Sequence, residues 1–200
     1  MPSVGFICYF DPDTYPGVYN TCNILAEKGW DVDVVALDYY GFGGKVFDRR
    51  VRLHRSGTGD WRAGGGAAAF FGFVRTVRRI GLVAKWDVAF GHDMMGFVAA
   101  RLARAVPPSR VAFWSQDLAE PNRLPPVKRG VYRLKRRFLR SCPLCIATSE
   151  SRARIMKKTL PIAGDPVVVY NSPRRNVASG TPGAWRERIG LADEDVLGVY

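Results

Sequence analysis

Apolar positions along this chain fall into short unbroken runs, separated by longer stretches in which they recur every three or four residues. The first run, Val4-Gly-Phe-Ile-Cys-Tyr-Phe10, is rich in β-branched and aromatic residues and is closed by Asp11-Pro12-Asp13. A run without polar alternation predicts a strand buried on both faces, as in a parallel sheet. After Pro16-Gly17, the residues Val18, Ile24, Leu25 and Ala26 keep helical spacing as far as Gly29, which reads as a helix stop. The alternation then repeats. Strands are predicted over 32–37, 51–53, 87–90, 111–114, 144–148 and 167–170, with helices near 65–84, 94–105, 127–141 and 150–160. About seven strands interleaved with helices predict an open α/β fold, a doubly wound parallel sheet of Rossmann-like type.

The last third adds a domain division. The run ending in Asn171-Ser172-Pro173 is followed by a polar linker over 173–183, then by a second apolar strand that stops at Tyr200. The expectation is one domain over 1–172 and, over 184–200, the incomplete start of a second.

Hydrophobic residues make up 47% of the 200, enough for a domain of this size to bury most of its unfolded surface. Charge adds a bias. Thirty Lys and Arg against 18 Asp and Glu give a net charge of +12, which favours anionic partners such as phosphorylated substrates, acidic lipid or nucleic acid. The start Met1-Pro2-Ser3 lacks the basic region of a signal peptide. No segment reaches the roughly 18 apolar residues of a membrane span. A cytoplasmic protein, soluble or peripheral on the inner membrane face, is the expectation. Four cysteines include Cys142-Pro-Leu-Cys145, but this pair closes a basic helix and enters a strand, whereas a redox pair of thioredoxin type opens a helix. A zinc site needs a second close pair, and Cys8 and Cys22 stand apart, so no metal site is assigned and the thiols read as core residues.

In open α/β sheets ligands bind beyond the carboxyl ends of the strands, which directs the reading to the residues after each run. Pro16-Gly17 opens the first helix, where backbone N–H groups and the positive end of the dipole suit a phosphate or sugar; a tight turn accounts for the same residues. No GxGxxG follows the first strand, and Gly41-Phe-Gly-Gly44 follows the second instead, which argues against NAD. His92-Asp93 ends the strand over 87–90 and precedes a helix. The histidine suits a hydroxyl or acid–base contact, with a packed histidine and a capping aspartate as the plain alternative. Gln116 and Asp117 end the next strand and face the same cleft. Ser149-Glu150-Ser151 reads as an N-cap cluster, with Glu150 near enough to the cleft to count among substrate-binding candidates.

Taken in order, the Pro16-Gly17 loop before "VYNTCNILAEKGWDVDVVAL", then "WDVAFGHDMMGFVAARLARA", "VAFWSQDLAEP", "FLRSCPLCIATSESRARIMKK" and "PVVVYNSP" resemble the amino-terminal domain of GT-B glycosyltransferases of family 4, group 1. The stretch "WRERIGLADEDVLGVY" resembles the linker helix and first strand of that family's second domain. The resemblance implies transfer of a hexose from a UDP- or GDP-sugar to a hydroxyl acceptor with retained configuration, no cofactor and no obligatory metal. It implies an acceptor site in this half, with His92 and Asp117 in catalytic roles and Pro16, Gly17, Asp93, Gln116 and Glu150 binding substrate. It also implies that donor phosphates are held mainly by the second domain, so that 200 residues alone lack a donor site. Three departures stand out: only Gly17 where the family often has two glycines, Gln116-Asp117 where many members have His-Asp, and Asn171-Ser172 for the common Asn-Gly.

The basic stretches suit such an enzyme when its acceptor is lipid-linked or its site faces an anionic bilayer, as in glycolipid or surface polysaccharide synthesis. Phe70 to Ile80 interleaves aromatics with Arg75, Arg78 and Arg79, as interfacial helices do. The helix over 127–141 carries Arg133, Arg136 and Arg137 opposite a packing stripe of Val127, Val131, Leu134 and Phe138, so membrane or phosphate contact competes with a merely solvated face. Three other readings remain. One is a non-catalytic docking subunit of a split transferase; another is a different Rossmann-type enzyme. Nucleic-acid binding is not expected, because the arginines are spread over several helices without a recognition signature.

Overall fold

A computed structural model describes residues 1–12, 15–37, 47–56, 66–116 and 124–170. Seven strands form one sheet: β1 (Ser3–Cys8), β2 (Asp31–Leu37), β3 (Val51–Ser56), β4 (Val88–His92), β5 (Val111–Ser115), β6 (Cys145–Ala147) and β7 (Val167–Val168). Their order is β3-β2-β1-β4-β5-β6-β7 and every pair is parallel. This is the doubly wound α/β sheet read from the sequence. The helices are α1 (Pro16–Glu27), α2 (Gly66–Ala84), α3 (Asp93–Ala103), α4 (Pro126–Leu139) and α5 (Glu150–Thr159). The linker over 173–183, the segment over 184–200, Asp117 and the Gly41 to Gly44 cluster lie outside the described residues.

Local chemistry explains the element ends. Pro16 stands in the first turn of α1, where its missing N–H costs no hydrogen bond, and Gly29 stops the helix at φ +87°. Ser149 caps α5 by accepting from Arg152 N at 3.3 Å, with Glu150 in the first turn where the dipole favours an anion. The first strand ends at Cys8 rather than Phe10. Tyr9 and Phe10 leave the ladder to pack their rings on Phe73 and Tyr15, at 5.1 and 4.3 Å between centroids.

Alternation along the strands divides the core in two. Ile7, Val35, Phe97, Phe113 and Leu139 lie on the face covered by α2 to α5, while Phe6, Val18, Cys22, Val34 and Trp114 lie on the face covered by α1. Helix α4 is turned from its expected stripe. It buries Val131, Tyr132, Lys135 and Leu139, whereas Val127 and Leu134 are exposed. Four-residue steps from Val131 run to Lys135 and Leu139, while the three-residue step to Leu134 turns outward, so a lysine lies in the core.

Two glycines bring α3 onto the sheet. A Cβ on Gly96 would stand 2.2 Å from the Ile7 carbonyl oxygen, and one on Gly91 would stand 2.3 Å from Phe97 Cα. Both obstacles are backbone and cannot swing aside. Gly96→Ala is therefore expected to lower unfolding stability by about 2–3 kcal/mol through forced displacement of α3. Gly130→Ala, on the exposed surface of α4 with nothing within 4 Å of the new methyl, is expected to raise it by about 0.5–1 kcal/mol. Urea midpoints at unchanged slope check both; equal effects at the two sites would contradict this account of the packing.

Candidate functional site

The chain leaves β1 toward β2 through α1 on one face and enters β4 from α2 on the other, so the carboxyl ends of β1 and β4 form the switch point of the sheet. Cys8, His92 and Trp114 are in register across β1, β4 and β5 at this edge. An open cavity of about 240 Å³ lies above it. Its lining comprises Tyr9 and Phe10 after β1, His92, Asp93, Met94 and Met95 at the β4–α3 junction, and Leu124 and Lys128 at the start of α4.

His92 is fully buried, stacked on Phe6 at 5.7 Å and Trp114 at 5.0 Å, with Phe10 edge-on at 6.1 Å. Neither ring nitrogen has a hydrogen-bond partner among the described residues, and the same holds for Trp114 Nε1. Burial depresses the imidazole pKa to about 3, because the aromatic walls offer nothing to an imidazolium that water would. The ring is neutral at physiological pH, with one donor and one acceptor to offer. A group with so low a pKa is a poor proton acceptor, while its two unpartnered nitrogens suit contact with a hydroxyl.

Asp93 does not cap α3. The N-cap is His92, with no side-chain bond, and Asp93 Oδ1 instead accepts from the backbone N–H of Gln116 at 2.6 Å. That bond ties the end of β4 to the end of β5. Asp93 holds φ at +51°, a left-handed conformation that costs a non-glycine residue of order 1 kcal/mol. The Gln116 carbonyl in turn accepts from Arg152 of α5, whose Nη1 also donates to Thr148 Oγ1 at 2.9 Å. Three strand ends are thus joined by Asp93, Gln116 and Arg152. Sequence reading named the first two and missed the third, since nothing local separates Arg152 from the other basic residues of its helix.

The remaining candidates divide. Pro16 and Gly17 lie close by, through Tyr15 packed on Phe10, although Gly17 is buried and its carbonyl accepts from Thr21 Oγ1 at 2.7 Å inside α1. Glu150 is exposed and is not part of the cavity lining; Tyr170 donates its hydroxyl to it at 3.5 Å. Arg75, Arg78, Arg79, Arg133, Arg136 and Arg137 are all exposed on α2 and α4. Two of them close helix ends: Arg78 donates to the Ala103 carbonyl at 3.0 Å and Arg136 to the Thr159 carbonyl at 2.9 Å. Cys142 and Cys145 lie buried in the α4–β6 connection, at the amino-terminal end of the strand and so away from the cavity. Lys135 was missed altogether as an interior residue. Its ammonium lies over Tyr132 and Phe113, at 4.6 and 5.7 Å, and burial brings its pKa down to about 8 against the favourable field of Asp93.

Residues 16–172 match the family model of the glycosyl transferase 4-like domain. The chain belongs to that family. The match begins at the Pro16-Gly17 helix start, after β1, and runs past β7, so it takes in the ends of β4 and β5 at the switch point. Sucrose-phosphate synthase from Thermosynechococcus elongatus shares the fold of this glycosyl transferase 4-like domain with a TM-score of 0.69 at 12% identity, over 96% of the chain. A structure described as LpCGTa in complex with UDP aligns with a TM-score of 0.50 at 12% identity, over 86% of the chain. The chain spans 53% of the length of each of these two solved proteins. No curated protein sequence matches it.

The neutral His92 gives this domain a pH signature. Below pH 6.5 the unfolded chain takes up a proton that the folded chain refuses. Stability due to this group is whole above pH 6.5 and falls by about 1.4 kcal/mol per unit as pH drops toward 3. His92→Phe is expected to flatten urea unfolding midpoints between pH 6.5 and 4.5, while the parent loses stability over that range. Parallel curves would mean that the imidazole is protonated in the fold.

Proposed function

We propose that this domain is the acceptor-side half of a glycosyltransferase that moves a hexose from a UDP- or GDP-sugar to a hydroxyl acceptor, in glycolipid or surface polysaccharide synthesis. The observation that carries the reading is the buried, neutral His92 at the switch point, with both ring nitrogens lacking partners among the described residues at the floor of a cavity. Buried polar atoms left without partners cost stability, so a site that keeps them is suited to a ligand with hydroxyl groups.

In the proposed reaction the bond from the anomeric carbon to the donor phosphate oxygen breaks, and its electron pair leaves with the phosphate. The acceptor hydroxyl oxygen bonds to that carbon and its proton passes to the departing phosphate. Positive charge develops on the sugar ring and negative charge on the phosphate. His92 and Trp114 Nε1 serve this by holding hydroxyl groups in place, and Asp117 would orient the acceptor hydroxyl. The Asp93–Gln116 bond fixes the distance between the two strand ends that carry these groups. The donor phosphates fall to a second domain, supplied by the same polypeptide or by a partner chain.

No helix among the described residues is long and apolar enough to cross a membrane. The basic outer faces of α2 and α4, with Phe71 and Leu82 exposed on either side of the arginines of α2, support contact with an anionic membrane surface and access to a lipid-linked acceptor.

The test uses the protein as its own cell makes it, incubated with labelled UDP- and GDP-sugars and an extract of that cell's membranes. Transfer of label to an extracted acceptor is expected, and His92→Ala should lower kcat/KM about 10- to 100-fold, the worth of a hydrogen bond made to the reacting sugar. A protein that turns over no nucleotide-sugar yet still sediments with anionic vesicles would instead be the docking subunit of a split transferase.

A further inference from the structure

Away from the cavity at the switch point, a second and larger one of about 450 Å³ lies between the edge strand β3 and the carboxyl-terminal half of α2. Its polar side is made by Asp33, Arg52, His54 and Arg79, and its apolar wall by Ile80, Val83 and Ala84. Asp33 is 1% exposed, and its two oxygens accept from Arg52 Nε at 2.8 Å, Arg52 Nη2 at 2.8 Å and Trp86 Nε1 at 2.8 Å, with His54 Nε2 at 2.7 Å. Burial alone would raise its carboxyl pKa, but the hydrogen bonds from Arg52, Trp86 and His54 outweigh that and hold it below the usual range. The carboxylate stays charged and fixes the guanidinium plane of Arg52 in a two-point fork.

That arrangement leaves Arg52 Nη1 and His54 Nδ1 outside the fork. Arg79 makes no hydrogen bond or ion pair among the described residues and stands on the same cavity. One carboxylate, already spent, faces two guanidiniums. No acidic residue occurs in Val51–Ser56 or Gly66–Ala84; beside Asp33, the charge of Asp31 at the start of β2 also acts on Arg52. The rim is apolar and open to solvent: Val83 is 81% exposed and Leu82 51%, and Phe71 is 57% exposed farther along the helix. A free phosphate would use the guanidiniums and leave that rim in water. A phosphate attached to acyl chains would use both.

We propose that this groove binds the phosphate headgroup of an anionic phospholipid, with Arg52 and Arg79 on the phosphate and Leu82 and Val83 at the acyl boundary. It deepens the membrane contact proposed above and rests on it. It also orients the domain, because the groove sits at the carboxyl end of α2 and the switch-point cavity lies at the opposite end of the strands.

The test compares Arg79→Gln with Arg75→Gln, which removes the same charge one turn earlier on α2 but outside the groove. Binding is read by sedimentation with phosphatidylcholine vesicles containing roughly 30% phosphatidylglycerol. If the arginines act only as a diffuse field, each is worth about fivefold in partition coefficient and the two variants match. The groove predicts a loss for Arg79→Gln at least three times larger than for Arg75→Gln. It also predicts that dihexanoyl phosphatidylglycerol shifts the Trp86 indole N–H resonance, whereas dihexanoyl phosphatidylcholine and inorganic phosphate do not. Matching variants with vesicle binding retained would overturn the groove and leave the membrane contact standing. Absence of binding to anionic vesicles by the parent protein would overturn both, and an equal shift with inorganic phosphate would make this a free-phosphate site instead.

Discussion

Strand β4 runs into helix α3 without a connecting loop: His92 is the last residue of one and Asp93 the first of the other. The chain can reverse there only because Asp93 takes a left-handed φ and because Gly91 and Gly96 let the helix settle directly on the strand backbone. Everything at the cleft follows from that junction. It sets the imidazole under the aromatic rings and puts the Asp93 carboxylate within 2.6 Å of the Gln116 N–H. The strain at Asp93 is offset by this bond, which is charge-assisted and draws β5 into place. A loop of even two residues between β4 and α3 would relax the dihedral and lose the cross-strand tie.

Two buried titratable groups in this fold are handled in opposite ways, and the difference separates support from site. Asp33 is surrounded by four donors and keeps its charge, so it pins β3 and Trp86 to β2. His92 is surrounded by carbon and loses its charge. Where a structure satisfies every lone pair, the group is already doing its work. At His92 two nitrogens are left over, and the desolvation cost is met only by ring packing on Phe6, Phe10 and Trp114. Lys135 falls between the two, its ammonium eased by two ring faces and by the field of Asp93.

The sequence was most legible where burial is two-sided. Parallel strands covered on both faces read as unbroken apolar runs, which is why Val4 to Cys8 and Val111 to Trp114 stand out without any neighbour to help. His92, Asp93 and Gln116 were found by the same logic, since strand ends at a switch point are fixed once the strands are. The rest depends on contacts distant in sequence. Arg152 meets the Gln116 carbonyl across 36 residues and Trp86 meets Asp33 across 53. No periodicity reports such pairings. Lys135 was missed for another reason: a charged residue is expected in solvent while its position in the helix points inward, and the ring faces that resolve the conflict belong partly to another element.

Charge shows the same limit from the other side. A net +12 says that the surface attracts anions, but not which arginines are available. Arg78 and Arg136 each donate to a carbonyl at the carboxyl end of a neighbouring helix, where a cation also complements the dipole, so part of the excess holds the helix layer together. Arg52 gives two of its three nitrogens to Asp33, which leaves Nη1 over. What remains exposed includes Arg75, Arg79, Arg133 and Arg137 on α2 and α4, on the face of the sheet opposite α1, together with Lys28, Arg49, Lys85, Arg104, Arg110 and Arg154 on other elements. A field weighted toward one face orients a molecule as well as attracting it. Under the membrane contact proposed above, that bias counts for more than the total, because it sets which face of the sheet turns toward the bilayer.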